Sequence, residues 1–242
     1  MTNSRLAFII LLGLIGAIVA TSYAGFRDFL PVLLGGTLVT IEITAMSAVL
    51  AVVCAIAAGL TKAYGALPIR SLAVTYIEIF RGTSLLVQLF WIFFVLPYFG
   101  ITLTPMMAGV LGLGLNLGAY GAEVVRGAVQ AVPRGQWEAA TALNMTREMA
   151  LRRIILPQAF VAMIPPWGNL FIELLKATAV VSLITITDLT FRAKGISDVT
   201  LRTAQVFNVA LVIYLCIALL ITFGMRSLER RAARGLARGR RT

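Results

Sequence analysis

Long apolar runs, separated by short polar segments, are the dominant pattern of the chain. Six such runs occupy positions 6–24, 38–60, 72–96, 105–125, 156–184 and 207–225. A helix needs about 20 apolar residues to cross the hydrocarbon core of a bilayer, at about 1.5 Å of rise per residue. The pattern therefore predicts an all-α, polytopic integral membrane helical bundle of about six transmembrane helices, with a five-helix core and an N-terminal span.

The first run has two interpretations. It follows Arg5 and ends near the small residues Ser22 and Ala24, an arrangement that a cleavable signal peptide also has. Its apolar core is long for such a peptide. We therefore favour a retained helix in an N-terminal region 1–28 and keep the signal peptide as the alternative.

Composition and charge agree with a membrane protein. Hydrophobic residues make up 60% of the chain and charged residues 13%, and the mean hydropathy is +0.93. The formal net charge is +11, and seven arginines follow Phe223, most of them in a basic tail 227–242. Because the tail directly follows an apolar run, we interpret it as a cytoplasmic anchor near anionic lipid, with no nucleic-acid partner. The distribution of basic residues places both termini and the segment between the fourth and fifth runs in the cytoplasm.

Several kinds of chemistry find no support in the sequence. The chain has no histidine, and Cys54 and Cys216 lie inside apolar runs without metal-ligand spacing. Disulfide frameworks, zinc sites and Cys/His catalysis are therefore unsupported, and we expect no catalytic residue, metal or cofactor.

The fifth run contains two consecutive prolines, Pro165 and Pro166. Each proline removes a backbone donor and clashes with the preceding turn, so we predict that the helix bends or breaks there. Two explanations remain open at this point: a kink required for packing, or a break that lines a transport pathway.

Charged residues inside the apolar runs occur as acid-base pairs at i,i+3 spacing. The pairs are Glu78 with Arg81, Glu123 with Arg126, and Glu173 with Lys176. A charge at the bilayer centre costs at least about 2.5 kcal/mol, so such residues usually face partners or water. Pairing along one helix and contact with a zwitterionic solute both explain them. With the polar residues at helical spacing beside them, the candidate path residues are Glu78, Arg81, Asn116, Tyr120, Asn169, Glu173 and Lys176.

A charged insert, 134–157, separates the fourth and fifth apolar runs. It begins after Pro133, and its central part from Trp137 to Leu151 contains no proline or glycine, which predicts one helix. Glu138 offers a charge to a basic partner, and the neighbouring alanines let another backbone approach closely. An ordinary amphipathic interfacial helix explains the helical periodicity of the insert, but not the full spacing of the sequence motif that the insert contains.

The motif consists of Glu138, Ala139 and Ala140, then Asn144 after three residues, and Ile154 to Pro157 after nine more. It resembles the E-A-A loop of binding-protein-dependent ABC importer permeases. Further segments resemble the polar amino-acid uptake branch of that family over positions 29–229. They are GGTLVTIEIT, YIEIFRGTSLLVQLFWIFFVLP, LNLGAYGAEVVRGAVQAVPRGQWEAA and ILPQAFVAMIPPWGNLFIELLKATAVVSLI.

The resemblance implies a type I ABC importer permease, with its transmembrane domain at 29–226, in a bacterial cytoplasmic (inner) membrane. It implies cytoplasmic ATP-binding subunits, a second permease subunit, identical or similar, and an extracytoplasmic solute-binding protein as partners beside the lipid bilayer. The chain has no phosphate-binding loop of its own, so a partner must use the ATP. By resemblance, the ATPase-coupling residues are Glu138, Ala139, Ala140, Asn144, Arg147, Leu156 and Pro157.

Four positions depart from the family pattern. Asn144 stands where glycine is usual, and asparagine can adopt the left-handed conformation that glycine favours. Ser84, Leu117 and Ala177 stand where proline, serine and aspartate are common, which leaves open a related zwitterion such as the compatible solute ectoine. The functional alternatives are an ion-coupled secondary transporter and a non-transporting membrane scaffold or sensor.

Overall fold

The computed structural model describes residues 23–239, together with residues 13, 15, 16 and 18. This part of the chain is mostly helical and contains no strand. The α-helices are α1 (Tyr23–Tyr64), α2 (Leu67–Gly82), α3 (Leu85–Phe90), α4 (Pro105–Gln130), α5 (Arg134–Ala142), α6 (Arg147–Ala150), α7 (Leu156–Ala177), α8 (Leu189–Thr200) and α9 (Thr203–Gly239). A π turn (Trp91–Val95) and a 3-10 turn (Leu96–Phe99) extend α3; a second π turn (Leu151–Ile155) joins α6 to α7, which a 3-10 segment (Thr178–Ile184) follows.

Four stretches of the described chain are long and apolar enough to cross a membrane. They are Arg27–Tyr64, Pro105–Gln130, Arg147–Ile184 and Thr203–Ala233. The pair Leu67–Gly82 and Leu85–Phe99, which is bent by 107°, makes a fifth span if the two helices are counted as one. The predicted all-α membrane bundle is thus confirmed, with four spans among the described residues or five with the bent pair. Most of the first apolar run, 6–24, and the last residues of the tail lie outside the described residues.

The break in the bundle is not where the prolines predict it. Helix α7 continues through Pro165 and Pro166, so the helix does not break there, and of the two predicted outcomes only a bend stays a prediction. Transmembrane helices tolerate proline because neighbouring groups can satisfy the freed carbonyls. The break instead follows Gly82, so the run 72–96, predicted as one helix, is two.

Four clusters of buried side chains hold the helices together, and three of them are large. The middle cluster joins α1, α3, α4 and α7 through Ile43, Leu89, Leu113 and Leu174. A second, centred on Val125, Ile155 and Trp167, lies at the end that carries the insert. A third, formed by Phe29, Leu33, Leu189 and Val206, joins α1, α8 and α9 at the other end.

Small residues let α1, α2 and α4 approach closely. A Cβ atom on Gly59 would lie 2.6 Å from the carbonyl oxygen of Ala122, and one on Gly118 would lie 2.8 Å from the hydroxyl of Tyr76. Glycine at such contacts is typical of membrane helices, which associate by close packing because lipid gives them no hydrophobic drive.

Helix α8 lies in a segment that the hydrophobic pattern predicts to be a connection between two spans. Its N-cap is Asp188, whose side chain accepts a hydrogen bond from the backbone N–H of Phe191 at 2.8 Å. Asp188 is 0% exposed. Burial raises the pKa of this carboxyl, although the hydrogen bonds from Phe191 and Thr190 oppose the rise.

Candidate functional site

The helix is interrupted between α2 and α3, and this break exposes backbone groups inside the bundle. Thr83 (φ −119°, ψ 156°) and Ser84 (φ −69°, ψ 133°) are extended, so the last carbonyls of α2 lose their helical donors. Two side chains replace them at Phe80, whose carbonyl accepts from Gln88 Nε2 at 2.9 Å and from Asn116 Nδ2 at 3.0 Å. The freed carbonyl of Phe80 is therefore hydrogen-bonded by side chains of α3 and α4.

A cavity of about 260 Å³ lies beside this break. Its polar lining comes from the break itself, from α4 and from α7, and consists of Thr83, Ser84, Asn116, Tyr120 and Glu173. The carboxylate of Glu173 has no ion-pair partner among the described residues, so it is available to a cation that enters the cavity. The cavity combines one negative charge with an amide, a phenol and hydroxyl groups.

The structure brings only part of the predicted path together. Asn116, Tyr120 and Glu173 line this cavity. Asn169 lies in a separate cleft between α7 and α9, and Lys176 lies in an apolar groove beside α9. The predicted stripe of Asn169, Glu173 and Lys176 is therefore divided among three surfaces of α7.

The remaining two predicted path residues belong to a group of charges at the insert end of the bundle. We call this group the charge cluster; it consists of Lys62, Glu78, Arg81, Glu123 and Arg126. Glu123 lies at its centre, 2.6 Å from Lys62 Nζ, 2.7 Å from Arg126 Nη2 and 3.9 Å from Arg81 Nη1. Lys62 also lies 3.6 Å from Glu78. The cluster thus joins α1, α2 and α4.

Of the three acid-base pairs predicted along single helices, one is an ion pair. Glu123 binds Arg126 as the spacing predicts. Glu78 contacts Lys62 of α1 instead of Arg81, and no ion pair joins Glu173 to Lys176 in the described part of the chain. Pairing along one helix therefore explains only the Glu123 and Arg126 pair, because partners from other helices, or an open cavity, compete with the i,i+3 neighbour in the other two.

The sequence pattern did not single out Lys62 or Gln88 as functional residues. Lys62 counted only as a basic residue of a connection, and Gln88 is uncharged. A polar amide in the middle of an apolar run is a signal that could have found Gln88, because a buried amide requires partners. The partner of Lys62 is 61 residues away in sequence, so spacing along one helix could not reveal it.

The insert folds as two short helices with a turn between them. Helix α5 ends at Ala142, and Asn144 takes a left-handed conformation with φ of 54°. The prediction of one helix from Trp137 to Leu151 is therefore wrong, whereas the left-handed conformation predicted for Asn144 is confirmed. The turn is closed by hydrogen bonds from Asn144 N to Thr141 O and from Met145 N to Ala140 O, both at 3.0 Å.

The residues predicted to couple to an ATPase lie on both sides of this turn. Ala140 is buried, whereas Glu138, Ala139, Asn144 and Arg147 are exposed. Leu156 and Pro157 begin α7, directly after the second π turn. The insert therefore presents an exposed acid at one end of the bundle and continues into the helix that carries Glu173.

The insert contacts the end of α1 through one aromatic ring. The guanidinium of Arg147 lies 5.4 Å from the ring centre of Tyr64, and the rings of Tyr64 and Trp137 are 6.4 Å apart. A second cation-π contact lies nearer the cavity, where Arg81 is 5.5 Å from the ring centre of Tyr120.

Known proteins resemble this chain over most of its length. The probable amino-acid ABC transporter permease protein y4tF of Sinorhizobium fredii is 48% identical over 84% of this chain and 88% of its own length. The L-cystine transport system permease protein TcyB of Bacillus subtilis is 38% identical, covering 88% of this chain and 91% of its own length.

The fold and the family agree with these similarities. The crystal structure of an amino acid ABC transporter with histidines matches with a TM-score of 0.80 and 38% identity, over 85% of this chain and 96% of that chain. Residues 51–234 match the model of the family described as binding-protein-dependent transport system inner membrane component. Since the match covers more than half of the sequence, the chain belongs to this family of membrane transport components.

Proposed function

We propose that the chain is the permease subunit of an ATP-driven importer for polar amino acids or related zwitterionic solutes. The observation that carries this proposal is the cavity that opens beside a broken span and is lined by Glu173, Asn116 and Tyr120. A zwitterion carries an ammonium group that the free carboxylate attracts and a carboxylate that amide and hydroxyl donors can bind. The relatives named for amino-acid and L-cystine transport support the same class of solute.

The residues that line the cavity also affect which zwitterion is transported. Ser84, Leu117 and Ala177, three positions that depart from the polar amino-acid pattern, all line it. Each departure changes the size or polarity of the wall. A related zwitterion such as ectoine is therefore part of the proposal, beside the standard amino acids.

The energy for transport comes from partners in this proposal. The insert 134–157 docks cytoplasmic ATP-binding subunits through exposed Glu138 and its neighbours, and those subunits use the ATP. A second permease, identical or similar, completes the transmembrane part, and an extracytoplasmic binding protein delivers the solute. The chain itself is then not an enzyme and needs no cofactor.

The orientation follows from the charges at the insert end. Arg126, Arg134 and Arg147 lie in or near the insert, and the last helix ends in the arginine-rich tail. The positive-inside rule assigns this end to the cytoplasm. The chain is then a multi-pass protein of the bacterial inner membrane with both termini in the cytoplasm.

Reversal of the charge on Glu138 tests the docking of the ATPase. The complete transporter is reconstituted in liposomes, and ATP hydrolysis is measured with binding protein and with L-cystine, L-glutamine or ectoine. We expect Glu138→Arg to insert normally into the membrane but to abolish solute-stimulated hydrolysis, because the insert no longer attracts its partner.

The matched control is Asp198→Arg, which reverses an exposed acid on α8, away from the insert. We expect this variant to keep its stimulation. Normal stimulation in Glu138→Arg would refute the docking role. A wild-type complex whose hydrolysis responds to none of the three solutes, and which takes none of them up, would refute the proposed function.

A further inference from the structure

Lys62 lies where the insert end of α1 meets two other spans. Its ammonium group is 2.6 Å from Glu123 of α4 and 3.6 Å from Glu78 of α2. The Lys62 and Glu123 side chains are only 18% and 19% exposed, so water screens this pair poorly. Loss of one partner would leave a half-buried charge uncompensated, which is costly. Lys62 therefore fixes the relative position of α1 and α4.

On one side, Lys62 is connected to the insert. Tyr64 follows it by two residues in α1 and contacts both Trp137 of α5 and Arg147 of α6. These contacts come from the two helices on either side of the Asn144 turn. A displacement of the insert therefore reaches the segment of α1 that carries Lys62.

On the other side, Lys62 is connected to the cavity. Its partner Glu123 lies 3.9 Å from Arg81, and Arg81 lies over the ring of Tyr120, which lines the cavity. Tyr120 and Glu123 are also one turn apart in α4, so they move together. The chain of contacts from insert to cavity is thus continuous.

Lys62 also has a second acceptor within reach. Glu78 is 64% exposed and lies 3.6 Å from the ammonium group, whereas Glu123 lies at 2.6 Å. A small movement of α2 relative to α4 exchanges which carboxylate is closer, without leaving the lysine unpaired. Such an exchange gives two discrete arrangements, which is what coupling between distant sites requires.

We propose that Lys62 is a positioning residue for transport: it links movement of the insert to the solute cavity by exchanging Glu123 for Glu78. This inference rests on the proposed function. In the structure described above Lys62 is bound mainly to Glu123. The opposite state of the transport cycle has Lys62 on Glu78 and Arg81 displaced from Tyr120.

The test compares basal and solute-stimulated ATP hydrolysis in the complete reconstituted transporter, with L-cystine, L-glutamine and ectoine as probes. We expect Lys62→Met to keep basal hydrolysis and to lose solute stimulation by about tenfold, a typical size for coupling between sites. A role in packing alone would lower both activities together, or neither. Either of those results for Lys62→Met would overturn the proposal.

Arg126→Met is the matched control. Arg126 binds the same carboxylate, Glu123, at 2.7 Å, but its other partner is Gln130 at the end of α4 and not the insert or the cavity. We expect this variant to keep its stimulation within about twofold, since no step of the route is removed. An equal loss of stimulation in both variants would contradict a specific role for Lys62.

Tyr64→Leu is a second test of the proposal, for use if the Lys62→Met permease does not assemble into the transporter. It removes the ring that Arg147 and Trp137 contact and leaves every charge in place, so we expect the same selective loss of stimulation. Full stimulation in Tyr64→Leu would overturn the proposal. Failure of the wild-type complex to respond to any solute would instead count against the proposed function, so the two failures are distinguishable.

Discussion

Asn144 is one residue whose backbone decides the shape of the insert. At φ of 54° it lies in the left-handed region, which asparagine and glycine adopt readily and which strains β-branched residues. We predict that Asn144→Val destabilises the protein by about 1–2 kcal/mol and lowers solute-stimulated hydrolysis, because the turn opens. Asn144→Gly should retain both properties. Thermal unfolding of the purified permease and the ATPase assay check this; equal stability of the valine variant would contradict it.

Glu173 is the residue on which the solute chemistry depends most directly. We predict that Glu173→Ala raises the apparent KM for uptake by about tenfold or changes which solute is preferred, because the cavity loses its negative charge. Lys176→Ala is the control: it removes a charge one turn further along α7, outside the cavity. Uptake kinetics in liposomes compare the two variants. Similar effects of both would show that Glu173 has no specific role in the cavity and that the stripe serves helix packing.

Asp188 should make stability depend on pH. In the unfolded chain an aspartate ionises near pH 3.9, whereas burial raises the pKa of Asp188 in the folded protein. Between these two pKa values the folded state binds more protons, so stability is highest below the unfolded pKa and falls as pH rises through the folded pKa. Asp188→Asn keeps the capping oxygen but cannot ionise. We predict that its unfolding temperature falls less with rising pH than that of the wild type; parallel curves would contradict this.

At the scale of the helices, length and apolarity were sufficient to predict the spans, because a bilayer leaves few alternatives to a helix. They were not sufficient to locate the break. The two prolines are the strongest local signal, yet α7 continues through them. The extended residues are Thr83 and Ser84, and an asparagine of α4 binds the carbonyl of Phe80 that the break leaves free. Such stabilisation depends on tertiary contacts, which local pattern does not contain.

The same dependence on tertiary contacts explains why only part of the candidate site could be predicted from the sequence. Asn116, Tyr120 and Glu173 share the cavity, as their polar character inside apolar runs indicated. Lys62 was missed because its partners belong to other helices, and Gln88 was missed because it carries no charge. In the insert, Asn144 indicated where a left-handed turn could form, but the helical pattern did not show that the helix ends at Ala142.

The break between α2 and α3 yields a prediction at this scale. Gln88 donates to the carbonyl of Phe80 at 2.9 Å and to the hydroxyl of Thr83 at 2.6 Å. We predict that Gln88→Leu lowers the free energy of unfolding by about 1–3 kcal/mol, because partly buried polar groups lose a partner. Gln130→Leu, at the exposed end of α4, should change it by no more than about 0.5 kcal/mol. Thermal unfolding in detergent measures both; a tolerant Gln88→Leu would show that the break is held by packing alone.

At the scale of the whole molecule, the described helices offer a cavity and an exposed insert but no phosphate-binding loop. We predict that the purified chain alone, in liposomes with an imposed ion gradient, transports none of L-cystine, L-glutamine and ectoine. Addition of the ATP-binding subunits, the second permease and the binding protein should start uptake that depends on ATP. Uptake by the chain alone would favour an ion-coupled transporter instead.

The helical stretch Arg147–Ile184 runs from the insert to the far side of the bundle in 38 residues. At about 1.5 Å per residue it is about 57 Å long, so a tilt of about 5° at one end displaces the other by about 5 Å. If the stretch moves as a rigid body, a tilt of very small angle at the insert is therefore enough to shift its far end by the width of a side chain.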